Sequence, residues 1–156
     1  MNFYANFITV AMSNFQMNEI SIKTADFEKD FADIEKIRTS VFIEEQNVPL
    51  ELEWDNDDFD STHILVYCEG KAVATARLLK DGHIGRMAVL KEFRNRHIGE
   101  SMLKYLIGIA NKQSINKIEL SAQEHAVEFY KKYGFSVISD VYMDAGIPHY
   151  DMKYLA

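Results

Sequence analysis

Residues 84–106, IGRMAVLKEFRNRHIGESMLKYL, contain the transition that decides the fold, because an apolar strand runs into a short basic loop and a helix begins where that loop ends. The loop carries Arg94, Arg96 and His97, and Gly99 lies at the start of the helix. A helix N-terminus presents unpaired backbone N–H groups and the positive end of the helix dipole. The segment therefore predicts a binding site for a diphosphate, with a solvated basic turn as the alternative.

The segments on either side of this transition predict the element order β-α-β-β-β-α-β-α-β-β. An antiparallel meander that precedes a strand–helix–strand crossover indicates a mixed sheet and an α+β class. We predict one domain over residues 19–156, and a loosely docked N-terminal extension of unknown function over residues 1–18. The predicted strands are 19–23, 62–68, 71–79, 83–89, 117–121, 135–139 and 149–154, and the predicted helices are 26–41, 98–110 and 126–133.

Composition excludes several classes of function. The chain has 156 residues, 47% of them hydrophobic, and carries 17 basic against 24 acidic side chains for a net charge of −7, which disfavours nucleic acid as a partner. Cys68 is the single cysteine and the five histidines lack metal-ligand spacing, so we expect neither a disulfide nor a metal site. No Lys or Arg precedes Lys23 and no apolar run reaches about 20 residues, so we expect no membrane association and a cytoplasmic location.

An acidic segment, residues 44–60, separates the first predicted helix from the second strand. It holds eight carboxylates and no basic residue, a composition typical of a loop or an irregular helical segment. Two interpretations stay open. The segment attracts a cationic amine, or it is a solvated acidic loop.

The loop 94–99, RNRHIG, resembles the acyl-CoA-binding motif of the GNAT-superfamily N-acetyltransferases, which reads Arg or Gln, two residues, Gly, one residue, then Gly or Ala. Arg94 and Gly99 match the first and last positions, whereas His97 stands where the motif has its middle glycine. Three further segments resemble the ElaA-like branch of that superfamily, so that the resemblance extends over residues 19–156. These are VFIEEQNVPLELEWDNDD (41–58), IELSAQEHAVEFYKKYGF (118–135) and AGIPHYDM (145–152).

The resemblance implies a mixed, mostly antiparallel sheet whose two central parallel strands, here 83–89 and 117–121, are splayed and flanked by helices. It also implies acetyl-CoA as the acyl donor, with the pantetheine arm in the gap between those strands and the diphosphate on the loop. The residues that would bind the donor are Met87, Ala88, Val89, Arg94, Asn95, Arg96, His97, Ile98, Gly99, Glu100 and Ser101.

The same resemblance gives Tyr130 the task of protonating the departing thiolate, which a phenol can do, although a packed tyrosine is the alternative. The acceptor amine must also lose a proton. We expect Glu45 to accept it and expect Glu51 and His149 to contact the acceptor. Other candidate bases are Glu53, Asp55, His63 and Gln123 acting through a water molecule.

The expected activity is transfer of an acetyl group to a primary amine, on a small molecule or a protein, by direct attack in a ternary complex. Cys68 lies in an apolar strand without a paired base, so an acyl-enzyme intermediate is not favoured. A non-catalytic CoA-binding module is the main alternative, and a structural domain with a basic turn is another. Pairing of two copies through a sheet edge would give a homodimer.

Overall fold

An eight-stranded sheet runs through the part of the chain that the computed structural model describes, residues 19–155. The predicted extension over residues 1–18 lies outside this range. The strands are β1 (Ile20–Ala25), β2 (Thr62–Cys68), β3 (Lys71–Leu78), β4 (His83–Val89), β5 (Glu119–Gln123), β6 (Phe135–Val137), β7 (Tyr142–Asp144) and β8 (Ile147–Tyr154). The helices are α1 (Phe31–Arg38), which continues as a π-helical segment over Thr39–Glu45, α2 (Leu50–Glu53), α3 (Asp57–Asp60), α4 (Ile98–Lys112) and α5 (Val127–Lys132), with 3₁₀ turns at Lys91–Phe93 and Glu124–Ala126.

The sheet order is β1-β2-β3-β4-β5-β8-β6, and β7 pairs with β8. Strands β4 and β5 are the parallel pair and the other pairings are antiparallel, which confirms the predicted α+β class and mixed sheet. The parallel pairing covers only His83 with Glu119 and Ile84 with Leu120. Beyond Ile84 the two strands diverge, which confirms the predicted splay.

Several elements differ from the prediction by a few residues at one or both ends, and the differences at α1, β5 and β7 are the largest. The first helix begins at Phe31 because the Asp26 carboxylate accepts hydrogen bonds from the backbone N–H groups of Glu28 and Lys29, which holds a separate turn before the helix. Strand β5 is shifted to Glu119–Gln123. Strand β7 was not predicted at all.

Apolar side chains are buried on both faces of the sheet. Helix α4 packs Met102, Leu103 and Leu106 against one face, and α1 packs Ile34 and Ile37 against the other. All five are fully buried. Burial of such a side chain stabilises the fold by about 1.5–3 kcal/mol. The helical spacing predicted for both segments is therefore confirmed.

An ionic network, defined here as Arg38, Arg77 and Arg86 with Glu53, Asp55 and Asp58, holds the acidic segment against the α1 face. Asp58 Oδ1 accepts hydrogen bonds from Arg38 and Arg77, each at 2.7 Å. Burial raises the pKa of Asp58, but the two guanidinium groups outweigh it and hold that pKa below its usual value. Neither open interpretation of the acidic segment describes Glu53 and Asp58, because these carboxylates are 2% and 1% exposed and paired internally.

No helix within residues 19–155 is both long enough and apolar enough to cross a membrane. Within the same range, no group of three or more His, Cys, Asp and Glu side chains is arranged to hold a metal ion.

Candidate active site

A cavity of about 1220 Å³ opens where β4 and β5 diverge. Within residues 19–155, no strand pairs with the β5-facing edge of residues 85–89. Apart from the Val89 carbonyl oxygen, which Arg94 binds, the backbone groups of this edge can therefore bind a ligand. The pairing of β3 with β4 is irregular between Thr75 and Arg77, and Arg86 opposite has φ = +51°, so β4 bulges at the mouth of the opening. The bulge directs the second half of the strand toward α4.

The loop before α4 keeps the backbone shape that the motif requires without the middle glycine. Asn95 and His97 both have φ = +61°, in the left-handed region where glycine is favoured. His97 also faces Glu100, with 3.1 Å between Nδ1 and Oε2. Hydrogen bonds from Lys104, together with Tyr133 and His97, lower the pKa of Glu100 to about 2. The histidine therefore stands at the motif's glycine position with a positive φ, which carries a conformational cost.

We expect His97→Gly to raise the free energy of unfolding by about 0.5–1 kcal/mol, because glycine adopts a positive φ without steric cost. Both variants lose the contact with Glu100, but only His97→Ala keeps a side chain on the strained backbone, so it should be less stable than the glycine variant by about 1 kcal/mol. Urea denaturation of the three proteins measures the difference. Equal stabilities of the glycine and alanine variants would show that the backbone at residue 97 is unstrained.

Gly99 lies in the cavity wall and also faces α5. A Cβ atom there would lie 3.5 Å from the Phe129 ring, which is ordinary van der Waals contact. The contact with Phe129 therefore does not by itself require a glycine at this position.

Arg94 links this loop to the end of the π-helical segment. Its two terminal nitrogens donate to the Glu45 carboxylate at 2.5 and 2.7 Å, and Nε donates to the Val89 carbonyl oxygen at 3.0 Å. The hydrogen bonds from Arg94 lower the pKa of Glu45. A carboxylate held in this way is a weak base, which counts against the expected role of Glu45 as the proton acceptor.

Tyr130 lies deep in the cavity, on α5. Its hydroxyl donates to Met87 Sδ at 3.5 Å, and its ring packs edge-on against Phe129 and Phe135. Burial raises the pKa of Tyr130 to about 12, so the phenol keeps its proton at neutral pH. The hydroxyl is therefore available as a proton donor beside the open strand edge.

His149 lies on β8 and also lines the cavity. Its Nδ1–H donates to the Ile147 carbonyl oxygen at 2.7 Å, since a carbonyl oxygen can only accept. In the neutral ring Nε2 then carries the lone pair. The ring stacks on Tyr142 and is 8% exposed, so its orientation is fixed. An imidazole oriented in this way has Nε2 as its one nitrogen that can accept a proton.

The structure brings most of the predicted donor-binding residues to the cavity wall, namely Met87, Val89, Arg94, Asn95, His97, Ile98, Gly99 and Glu100. Ala88 is instead buried in the core cluster around α1, the Arg96 guanidinium lies 5.2 Å from the Phe93 ring centre, and Ser101 Oγ donates to the His97 carbonyl oxygen. These three side chains are outside the lining.

Some of the residues predicted to bind the acceptor or to act as the base line the cavity, and others do not. Glu45, Glu53, Gln123 and His149 line the cavity, whereas Glu51 is exposed outside it. His63 is buried away from the cavity, where its Nε2–H donates to the Asp58 carbonyl oxygen and burial lowers its pKa.

Sequence reasoning missed several polar side chains of the cavity wall, among them Gln46, Arg77 and Arg86. Gln46 forms an amide pair with Gln123, in which the Gln123 Nε2 group donates at 2.7 Å. The available signal was the presence of charged residues within otherwise apolar strands, which β3 and β4 both show.

Comparison with known proteins gives the family. A family model described as an acetyltransferase (GNAT) domain matches residues 26–156. The chain is 40% identical over 129 residues to the uncharacterized N-acetyltransferase YjcF of Bacillus subtilis, an alignment that covers 80% of this chain and 92% of that one.

Two further relatives agree in sequence and structure. Protein ElaA of Escherichia coli is 33% identical over 126 residues, 75% of this chain and 82% of ElaA, and its crystal structure superposes with a TM-score of 0.79 at 27% identity, over 88% and 100% of the two chains. An acyl-CoA N-acyltransferase from Pseudomonas aeruginosa superposes with a TM-score of 0.77 at 28% identity, over 88% and 99%. The splayed strands, the loop before α4 and these matches together establish that the chain belongs to the GNAT acetyltransferase family, in its ElaA-like branch.

Proposed function

We propose that the protein transfers an acetyl group from acetyl-CoA to a primary amine within a ternary complex. The observation that carries the proposal is the continuous cavity, which joins the α4 N-terminus, the unpaired edge of β4 and Tyr130. The similarity to an enzyme named as an acyl-CoA N-acyltransferase supports an acyl-CoA donor.

The donor's diphosphate would bind the backbone N–H groups at the start of α4, with Arg94 as the charged side chain beside them. Arg94 is paired with Glu45 in the structure, so the phosphate would share this guanidinium with Glu45 or displace it. The pantetheine arm would pair with the free edge of residues 85–89. A backbone N–H group of residues 85–89 that the pantetheine arm leaves unpaired would stabilise the negative charge that develops on the thioester oxygen.

In the reaction the amine nitrogen forms a bond to the thioester carbon, and the bond between that carbon and sulfur breaks. The thiolate leaves with a proton from Tyr130, whose raised pKa keeps it protonated until the transfer. The acceptor's ammonium group first gives one proton to a base, which passes it to solvent. After the neutral nitrogen has attacked, it loses a second proton, and this proton replaces the one that Tyr130 gives to the thiolate. We assign that base to His149, because it lines the cavity and no hydrogen bond among the described residues uses its Nε2, whereas both Glu45 oxygens are occupied by Arg94.

His149→Asn should lower kcat at neutral pH at least tenfold, because asparagine can still donate to the Ile147 carbonyl oxygen but has no equivalent of Nε2. The deficit should narrow as the pH approaches the amine pKa of about 10.4, where the acceptor loses its proton without help. Initial rates of thiol release between pH 6.5 and 10 measure the effect.

Glu45→Gln provides the comparison. Its main effect should be a changed KM for acetyl-CoA, because the variant releases Arg94. If Glu45→Gln instead reproduces the pH-dependent deficit while His149→Asn does not, Glu45 is the base as the sequence led us to expect.

Release of free CoA thiol from acetyl-CoA in the presence of a panel of primary amines tests the proposed activity. We expect release above the rate of background hydrolysis for at least one amine class. Saturable binding of CoA without release for any amine would favour the non-catalytic module.

A further inference from the structure

The cavity has a second end, near the start of β4. Four residue steps of strand, roughly 13 Å, separate Gly85 at this end from Val89, where β4 ends before the loop to α4. This end is lined by Leu52, Glu53, Arg77, Gly85 and Arg86. A Cβ atom on Gly85 would lie 4.0 Å from Arg77 Nε, so the glycine leaves the guanidinium next to the cavity.

Both arginines at this end have donors without partners. Arg86 donates through Nε and Nη2 to the carbonyl oxygens of Glu53 and Leu52 and to Asp55, and no hydrogen bond among the described residues uses its Nη1. Arg77 is 5% exposed, and its Nε is a buried donor without a partner within residues 19–155. A buried, unpaired donor is costly, so Arg77 Nε would gain from an acceptor. The Arg86 side chain is 27% exposed, so its Nη1 can donate to a ligand that enters the cavity.

The local charge also favours an anion. Asp55 and Asp58, which neutralise much of the network's positive charge, are not part of the cavity wall. Of the network's carboxylates only Glu53 reaches the wall, and it already pairs with Arg38 at 2.5 Å. The network as a whole is neutral, and Arg77 Nη1 and Nη2 already pair with Asp55 at 2.6 and 2.8 Å. At the cavity wall itself, however, two guanidinium groups stand beside one carboxylate that is already paired.

We propose that this end of the cavity binds a carboxylate carried by the acceptor, so that the acceptor is a free amino acid rather than a polyamine or a lysine side chain. The inference rests on the proposed function and names its substrate class. The planar guanidinium group matches a carboxylate through paired hydrogen bonds.

The other walls are consistent with an amino acid that has an apolar side chain. Phe42, Val48 and Ile147 line the cavity beside Leu52, and His149 lies on the β8 side. The exposed Asp144 stands at the rim, where it would attract the acceptor's ammonium group. A polyamine has no carboxylate to accept hydrogen bonds from Arg77 and Arg86, and its second ammonium group would be repelled by these two guanidinium groups.

Calorimetric titration of the CoA-saturated protein with L-leucine and with L-leucinamide tests the inference, because the two ligands differ only in the carboxylate. Phenylalanine and methionine with their amides extend the series. We expect at least one amino acid of the three to bind at least tenfold more tightly than its amide. Equal affinities, or tighter binding of the amides throughout, would overturn the inference.

Arg86→Gln should bring the affinity for the amino acid to within about twofold of the affinity for its amide. Arg86→Lys keeps the charge without the paired donors, and it should leave an intermediate preference even if the glutamine variant folds poorly. Lys80→Gln is the control, because Lys80 pairs only with Asp60 at the surface, at 3.1 Å, and it should retain the full preference.

Thiol release with the same ligands separates the two proposals. If the amino acids bind preferentially but release no thiol, and no other amine does, the proposed activity is wrong and the carboxylate site stands. If amino acids and amides release thiol equally well, the activity stands and the carboxylate site is wrong.

Discussion

Asp58→Asn should lower the free energy of unfolding by about 3–5 kcal/mol, because it removes the one buried carboxylate that Arg38 and Arg77 share. The asparagine cannot neutralise either guanidinium, and the network retains an uncompensated positive charge in a site that is almost free of solvent. Urea denaturation at pH 7.5 measures the loss.

Asp60→Asn is the matched control, since both residues lie in α3. The pair of Asp60 with Lys80 is at the surface, with both side chains 78% exposed, so its loss should change the stability by less than about 0.5 kcal/mol. If the two variants unfold within about 1 kcal/mol of each other, the network is not what holds the acidic segment.

Tyr130→Phe should lower the turnover of thiol release at least tenfold and leave the affinity for CoA within about twofold. The substitution removes only the hydroxyl, so the ring contacts with Phe129 and Phe135 persist. The loss reflects the missing proton donor, since general acid catalysis contributes factors of about 10²–10⁴. Steady-state rates and calorimetry on the same preparation provide the two readouts.

Tyr105→Phe is the control for this substitution, because Tyr105 is 37% exposed on α4. Its turnover should match that of the unchanged protein. A Tyr130→Phe variant with full turnover would reduce Tyr130 to a packing residue, the alternative that the sequence left open.

Patterned segments were predictable from the sequence, since their residues alternate or repeat at a fixed period. Strands 62–68 and 83–89 have the bounds that the sequence predicted, because each is a short apolar run between turn residues. Strand β7 gave no such signal. It is three residues long, and its turn to β8 places Ala145 at φ = +49°, a position where the sequence would announce a turn only with Gly, Asn or Asp.

The sequence predicted where the backbone of the site lies, but it did not predict the conformations and pairings of the site residues. The loop motif located the α4 N-terminus, but no local pattern shows that His97 adopts a glycine-like conformation. Ion pairs between residues far apart in the chain could not be predicted from the sequence either. Glu45 and Arg94 are 49 residues apart, and a list of acids and bases does not reveal which of them neutralise each other.

Calorimetric titration of the protein with acetyl-CoA tests the central claim most directly, namely that the open edge of β4 and the α4 N-terminus form one donor site. The structure predicts saturable binding at a single site per chain, weakened at least tenfold by Arg94→Ala. No measurable binding at about 1 mM acetyl-CoA, which corresponds to less than about 4 kcal/mol of binding free energy, would contradict the claim.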